Sequence, residues 1–197
     1  MKTFKQFIQE MPEDLGSSEA NLADDKFNSQ MYGYYSKQKQ IGNVGHFTIH
    51  HNKDGRETRL SVLDNKNKRV SFSTTAERRP KNKDVPFPHH TQTYVNKDPK
   101  AKLGKRFGSK FVYEHLVHNQ DIPLVSDEKQ YTGGHKMWHH LIDKSFEHGH
   151  HAYVVDKGNL TKITPENKNE LMSSTYGPNP SFRSKRYVIS KHPLTPP

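Results

Sequence analysis

Apolar and polar positions alternate through the middle of the chain. Phe47 with Ile49, Leu60 with Val62 and Val70 with Phe72 each recur at the period of two that marks a half-buried strand. Asp54-Gly55 and Asp64-Asn65 lie between these runs as hairpin turns. Pro80, Pro86 and Pro88 then exclude a central strand or a helix interior over 78–88, and 92–96 reads as a further strand. From Gly104 the period changes. Phe107, Phe111, Val112 and Leu116 share one helical face, with Asn119 as a stop. A short strand over 122–125 follows, then a helix over 132–145 that turns Met137, Trp138, Leu141 and Ile142 inward, and a strand over 152–155. Tyr187-Val188-Ile189 predicts a last, edge strand. The predicted order is β-β-β-β-α-β-α-β, a mixed α/β (α+β) fold.

The two ends read differently. Phe4, Phe7, Ile8 and Met11 form an apolar stripe on one short helix, and 13–28 reads as polar linker. Pro165, Pro178, Pro180, Pro193, Pro196 and Pro197 suggest a C-terminal arm rather than a core element. The expected organisation is a flexible leader over 1–30, a domain over 31–164 and a proline-rich arm over 165–197.

Composition and charge refine this picture. Only 30% of the 197 residues are hydrophobic, enough for one modest core. No apolar run approaches the roughly 20 residues of a bilayer span, and the absence of cysteine excludes disulfides and thiolate chemistry. The formal charge of +10 is unevenly placed: three lysines and six acids give residues 1–30 a net −3, which leaves +13 on the remainder. Such a surplus attracts polyanions. Three basic runs carry it: Lys66, Lys68 and Arg69; Arg78, Arg79, Lys81 and Lys83; and Lys97, Lys100, Lys102, Lys105, Arg106 and Lys110. The candidate contacts to nucleic-acid phosphates are Arg78, Arg79, Lys81, Lys102, Lys105 and Lys110, without base-specific reading, because no known DNA- or RNA-reading signature is present.

Fourteen histidines raise the question of a metal. His135 and His139 lie four apart on one helix face, and His148, His150 and His151 cluster beyond it. There is no cysteine and no His-Glu-x-x-His spacing, and adjacent pairs such as His50-His51, His89-His90 and His139-His140 point apart on regular elements. The expectation is therefore no metal site, with histidines adding pH-dependent surface charge.

The segment from Thr93 to Ser109 places a strand, a loop and a helix start in succession. Backbone N–H groups and a positive dipole end there suit an anion, with Lys105, Arg106 and Lys110 adding charge and Gly104 and Gly108 allowing close approach. The alternative is that the glycines only turn the chain and the cations face solvent. This stretch resembles the pyrophosphate loop of GNAT-type acyl-CoA N-acyltransferases. Leu124-Val125-Ser126-Asp127 with Gln130, Gly133-Gly134 and Met137-Trp138 is similar to a signature of phage GNAT-like proteins. The resemblance covers roughly 40–160. It implies a mostly antiparallel mixed sheet flanked by helices, acetyl-CoA as cofactor, and transfer of an acetyl group to an amine. Cofactor-binding residues would be Val95, Gly104, Lys105, Arg106, Phe107, Gly108 and Ser109. Leu103 stands where the family has Arg or Gln, Arg106 where it usually has Gly, and Trp138 where many members place an acidic tyrosine. An indole cannot act as that acid, so acid–base work falls to Asp127 or His135, with Glu114 and His115 nearby, and Trp138 reads as core.

The opening run MKTFKQFIQE resembles the capsid-targeting propeptides of internal head proteins in T4-like phages. That resemblance implies cleavage after Ile8-Gln9-Glu10 and a place in the virion interior or, after injection, the host cytoplasm. The competing expectation is thus a non-enzymatic basic virion protein that contacts phage DNA or other virion proteins, or acts on a host protein.

Overall fold

The computed structural model describes residues 22–104, 106–119, 121–127, 132–173 and 184–195. The apolar stripe at Phe4 to Met11, the Ile8-Gln9-Glu10 site, Lys105, Gln130, Pro178 and Pro180 lie outside the described residues. The chain is mixed α/β, and its sheet is mostly antiparallel. The chain divides into two compact units. One takes the chain up to Thr75 together with Tyr94–Leu103; the other takes Ala76–Thr93 and the chain from Gly104 on.

The first unit opens with α1 (Asp25–Tyr35), where linker was expected as far as Asn28. Asp24 caps it, its carboxylate accepting the Phe27 N–H at 2.7 Å, and Asp25 sits in the first turn where the helix dipole favours an anion. Phe27, Met31, Tyr34 and Tyr35 then recur at helical spacing and bury themselves with Leu22, Leu63 and Val70. The polar neighbours of Phe27 hide this stripe from a window that begins at Glu13. Strands β1 (Lys39–Val44), β2 (Phe47–Asp54), β3 (Glu57–Asp64) and β4 (Arg69–Arg79) follow in sheet order β1-β2-β3-β4. The β2–β3 ladder runs from Asp54↔Glu57 to Phe47↔Asp64, and Gly55 at φ +58° turns the hairpin. The unexpected β1 is an outer strand with a bulge near Gly42, and its large apolars Ile41 and Val44 are exposed, so it carries no alternating pattern.

A polar cluster fixes α1 on this sheet. Asn28 is fully buried; its amide donates to the Leu22 and Val70 carbonyls at 2.8 and 3.0 Å and accepts the Val70 N–H at 2.7 Å. The same amide reaches Asp98 at 3.3 Å, in the turn after β5 (His89–Lys97). Asp98, also buried, accepts Arg69 Nε at 2.7 Å and the Lys100 N–H at 2.9 Å, while its own N–H donates to the Ser71 carbonyl at 3.0 Å. Arg69 bridges on to Asp25, and Lys100 pairs with Asp25 at 2.7 Å. These contacts satisfy every oxygen of the buried carboxylate, which is the condition for keeping a charge out of water.

The second unit holds α2 (Phe107–Val112), which runs directly into a π-helical turn (Tyr113–His118), then β6 (Leu124–Val125), α3 (Thr132–Glu147), β7 (His151–Asp156), β8 (Asn159–Ile163), α4 (Lys168–Ser173) and β9 (Lys185–Ser190). Sheet order is β5-β6-β9-β7-β8. The edge position expected for Tyr187-Val188-Ile189 is corrected: β9 lies between β6 and β7, antiparallel to both. All three residues are fully buried, so both faces of the strand are covered, as befits an interior position. Val188 faces Val85, Val125, Tyr153 and Val155, while Tyr187 meets Trp138 of α3 with ring centroids 5.8 Å apart. Gly149 at φ +67° closes α3, where the His150 N–H donates back to the Ser145 carbonyl at 2.8 Å. The proline-rich end contributes to this core as well: Leu194 packs on it and its N–H donates to Tyr153 Oη at 3.0 Å.

Replacing Asp98 by Ala is expected to lower the stability of the chain by about 3 kcal/mol, toward the lower bound for breaking a buried ion pair, because Arg69 can partly rehydrate. Asp25→Ala, at an exposed position, is expected to leave the urea midpoint almost unmoved. A loss below about 1 kcal/mol for Asp98→Ala would show that the cluster carries no weight.

Candidate functional site

The second unit gathers most of the chemistry-bearing residues, and the meeting of β5 with β6 organises them. These two strands pair in parallel at only two registers, His90↔Leu124 and Thr91↔Val125. Ser126 then turns to β9: its N–H donates to the Tyr187 carbonyl at 2.9 Å and its Oγ accepts the Tyr187 N–H at 3.0 Å. So β6 ends at Val125 while β5 runs on to Lys97, and the parallel pairing stops at Thr91. Thr91 Oγ1 sits at that point, buried and without a hydrogen-bond partner among the described residues. The half-buried Asp127 follows directly.

The predicted loop residues distribute as follows. Gly104, Arg106, Phe107, Gly108 and Ser109 belong to the second unit, whereas Val95, 40% exposed on β5, and the exposed Lys102 belong to the first. Neither Gly104 nor Gly108 has a positive φ, and a Cβ at Gly104 would meet nothing within 4 Å. The turn into α2 is made instead by Arg106, exposed at φ +58°, a conformation that costs a non-glycine residue about 1 kcal/mol or more. Ser109 Oγ donates to the Arg106 carbonyl at 2.9 Å, and Lys110 is exposed. Arg78 and Lys81 are exposed in the second unit, while Arg79 is engaged by Glu77 through Nη2 at 2.8 Å and Nε at 3.1 Å. Glu114 faces solvent, and the His115 ring lies 4.6 Å from that of Phe111.

His135 stands in a chain of hydrogen bonds that sequence spacing shows only in part. His139 Nε2 lies 3.2 Å from His135 Nε2, and His135 Nδ1 lies 3.1 Å from Tyr187 Oη. Tyr187 Oη donates to the Met172 carbonyl of α4 at 3.2 Å. Lys168 of α4 donates to the His139 carbonyl at 3.2 Å and pairs with Asp143. The spacing of four makes the two histidines neighbours, but Tyr187 comes from a strand far along the chain, and no local pattern announces it. Trp138 is 2% exposed and packs in the same place.

A second group forms at the far end of α3. The rings of Tyr113, His118, His148 and His150 stack with centroids 5.1 to 6.5 Å apart. Tyr113 Oη and His150 Nδ1 are 2.6 Å apart. Burial, with Glu114 and Glu147 nearby, holds the Tyr113 hydroxyl well above the usual phenol range, so it keeps its proton. Among the described residues no three His, Asp or Glu side chains are arranged to hold a metal ion. The surface role expected for the histidines is corrected for three of them: His50, His89 and His90 are buried in strands.

Burial drives the pKa of His51, His89, His135, His139, His140 and His150 below 6.5, and neighbouring cations and imidazoles add to it. Lys39 and Lys53 act on His51, Arg79 and Arg186 on His89, and Arg106 and Lys168 on His140. No helix among the described residues is long and apolar enough to cross a membrane. Comparison of the chain with family models, with curated proteins and with solved structures gave no match.

A histidine whose folded-state pKa is depressed binds its proton more readily once unfolded, so the stability it confers is complete above 6.5 and is lost as pH falls toward the folded value. All six shifts have the same sign. The urea midpoint is therefore expected to drop from pH 7.5 to pH 5.5, above the range in which carboxylates protonate, and His89→Gln should flatten the dependence. A midpoint unchanged or higher at pH 5.5 would contradict this account.

Proposed function

We propose that the second unit is a GNAT-type acyl-CoA N-acyltransferase that moves an acetyl group from acetyl-CoA to an amine. The observation that carries this reading is the stop in the parallel pairing of β5 and β6 at Thr91. An extended arm bearing amides, such as pantetheine, adds to a sheet as a further strand would, and a parallel pairing of two registers is where this sheet has least strand pairing to displace. The buried, unpartnered Thr91 Oγ1 at that stop, and Ser126 drawn away to Tyr187, support a gap built for a ligand. Arg106, Lys105 and Lys110, with the start of α2 at Phe107, Gly108 and Ser109, would meet the pyrophosphate of the same molecule. Asp127 and the His135 chain supply the groups able to take a proton from the amine. Acetyl-CoA fits these residues chemically: anionic phosphates opposite cations, amides opposite strand backbone.

The exposed cations favour a second reading, nonspecific contact with packaged DNA. Arg78 is exposed at the end of β4, Lys81 and Lys83 are exposed on the loop that follows, and the Gly158 N–H donates to the Asp84 carbonyl of that loop at 3.1 Å, bringing Lys157 at φ +49° to the same place. Contacts of that kind weaken steeply with salt.

Calorimetric titration of the full chain with CoA and acetyl-CoA tests the first reading. Binding of both is expected, and Gly108→Glu should abolish it by placing a carboxylate against the phosphates. Absence of heat with either ligand, or a Gly108→Glu variant that binds as well as the parent, would overturn it. DNA retention that does not change between low and high salt would overturn the second.

A further inference from the structure

We propose that the loop after β4 and the tip of the β7–β8 hairpin form one preshaped cationic surface for the phosphate backbone of duplex DNA, with Lys81, Lys83 and Lys157 as its contacts and Asn82 and Gly158 as the residues that position them; the inference rests on the DNA reading above and is independent of the acyltransferase reading. Both segments are held by specific bonds. Asn82 Oδ1 accepts the N–H groups of Asp84 and Val85 at 2.9 and 2.8 Å, and the Asn82 N–H donates to the Val85 carbonyl at 2.9 Å. This side-chain turn leaves Lys81 and Lys83 exposed on either side of Asn82, while Val85 is anchored in the core with Val125, Tyr153, Val155 and Val188. On the hairpin, Lys157 at φ +49° and Gly158 at φ +86° make the two-residue turn between Asp156 and its partner Asn159. Leu160, just beyond, packs on the same core as Val85.

The two segments meet through backbone. The Gly158 N–H donates to the Asp84 carbonyl at 3.1 Å, and a Cβ at Gly158 would come within 2.9 Å of the Lys83 carbonyl. Glycine alone allows that approach, so the same residue that completes the turn seats Lys157 beside Lys83. Lysine is a poor choice for the first position of such a turn, which favours Asn, Asp or Gly. No carboxylate among the described residues pairs with Lys81, Lys83 or Lys157. Nearby acids are engaged elsewhere: Glu77 pairs with Arg79, and Asp156 accepts Ser184 Oγ at 2.6 Å. Asp84, half-buried in the loop, offsets one charge, and the exposed Arg78 at the end of β4 adds one.

The absence of apolar surface here selects the partner. A protein interface is built around an apolar centre, yet the exposed large hydrophobics among the described residues, Ile41, Val44 and Val95, all lie in the first unit. Single strands need exposed rings on which bases stack, and Phe87, the aromatic of this loop, packs against the core. Cations carried on stiff backbone fit a regular row of phosphates, as a duplex presents.

Binding of the full chain to a short DNA duplex of mixed sequence, followed by fluorescence anisotropy across a salt series, tests this. The parent should bind with a steep dependence of log affinity on log salt, and Lys83→Gln and Lys157→Gln should each make the slope shallower by about 1, the count for one phosphate contact. Lys162→Gln, at an exposed position of β8 outside this surface, should match the parent. Asn82→Ala changes no charge; with its fold checked by circular dichroism, it should keep the slope and weaken binding by about threefold, because the loop must then be ordered on contact. A slope unchanged in both lysine variants, or lowered equally by Lys162→Gln, overturns the surface and leaves the DNA reading standing on other cations. A folded Asn82→Ala variant that binds as the parent does overturns the positioning role. Displacement of the duplex by poly-glutamate at equal charge, or tighter binding of an RNA duplex, overturns DNA as the partner. A parent that does not bind the duplex at low salt overturns both this inference and the DNA reading.

Discussion

A single buried carboxylate, Asp98, holds the first unit together. It sits where three otherwise separate pieces meet: α1 through Asn28, the start of β4 through Arg69, and its own turn through the Lys100 N–H. Apolar contact among Phe27, Met31, Leu63 and Val70 supplies attraction, but such contact tolerates sliding. The Asn28 amide does not: it matches both the N–H and the carbonyl of Val70, so the helix has one register on the strand. Here polar groups specify the packing that hydrophobic burial drives.

The second unit uses a different device. Its imidazoles are placed against one another and against phenols, so that every added charge would meet a neighbour of the same sign or a dry surface. Tyr187 joins one such group from far along the chain, its Oη 3.1 Å from His135 Nδ1 and donating to the Met172 carbonyl at 3.2 Å. The unit stays basic overall, because lysines and arginines at loop apices carry the charge that the histidines do not. Arg106 and Lys157 even occupy left-handed backbone where Gly or Asn would be less strained.

The strands themselves were legible, since the runs at Phe47, Leu60 and Val70 lie on β2, β3 and β4, but not as half-buried ones: β3 and most of β4 are buried on successive residues, with Ser, Thr and Arg filling the face read as polar. Leu116, Trp138 and Leu141 lie on buried helix faces. What escaped has physical reasons. The apolar face of α1 is completed by tyrosines and by a buried Asn, neither of which a hydropathy pattern counts as core. The exposed β1 offers no contrast between its faces. The interior place of β9 depends on partners on both sides, β6 and β7, which precede it by tens of residues, and its short apolar run is equally good at an edge. At the candidate site, His135 and the loop from Gly104 to Ser109 could be picked out by residue type and spacing. The contacts of His135 with Tyr187, and through it with Met172, could not, because they are joined only by the tertiary fold.

The position of β9 has a consequence for the order in which the molecule can be made. β9 follows both β6 and β7 in the chain, so until it has left the ribosome the second unit has two sheet fragments with open edges facing a missing partner. Tyr187, Val188 and Ile189 bring the closing hydrogen bonds and the inner residues of both core faces in one step. The contact between Tyr187 and the Met172 carbonyl is absent until that step is complete.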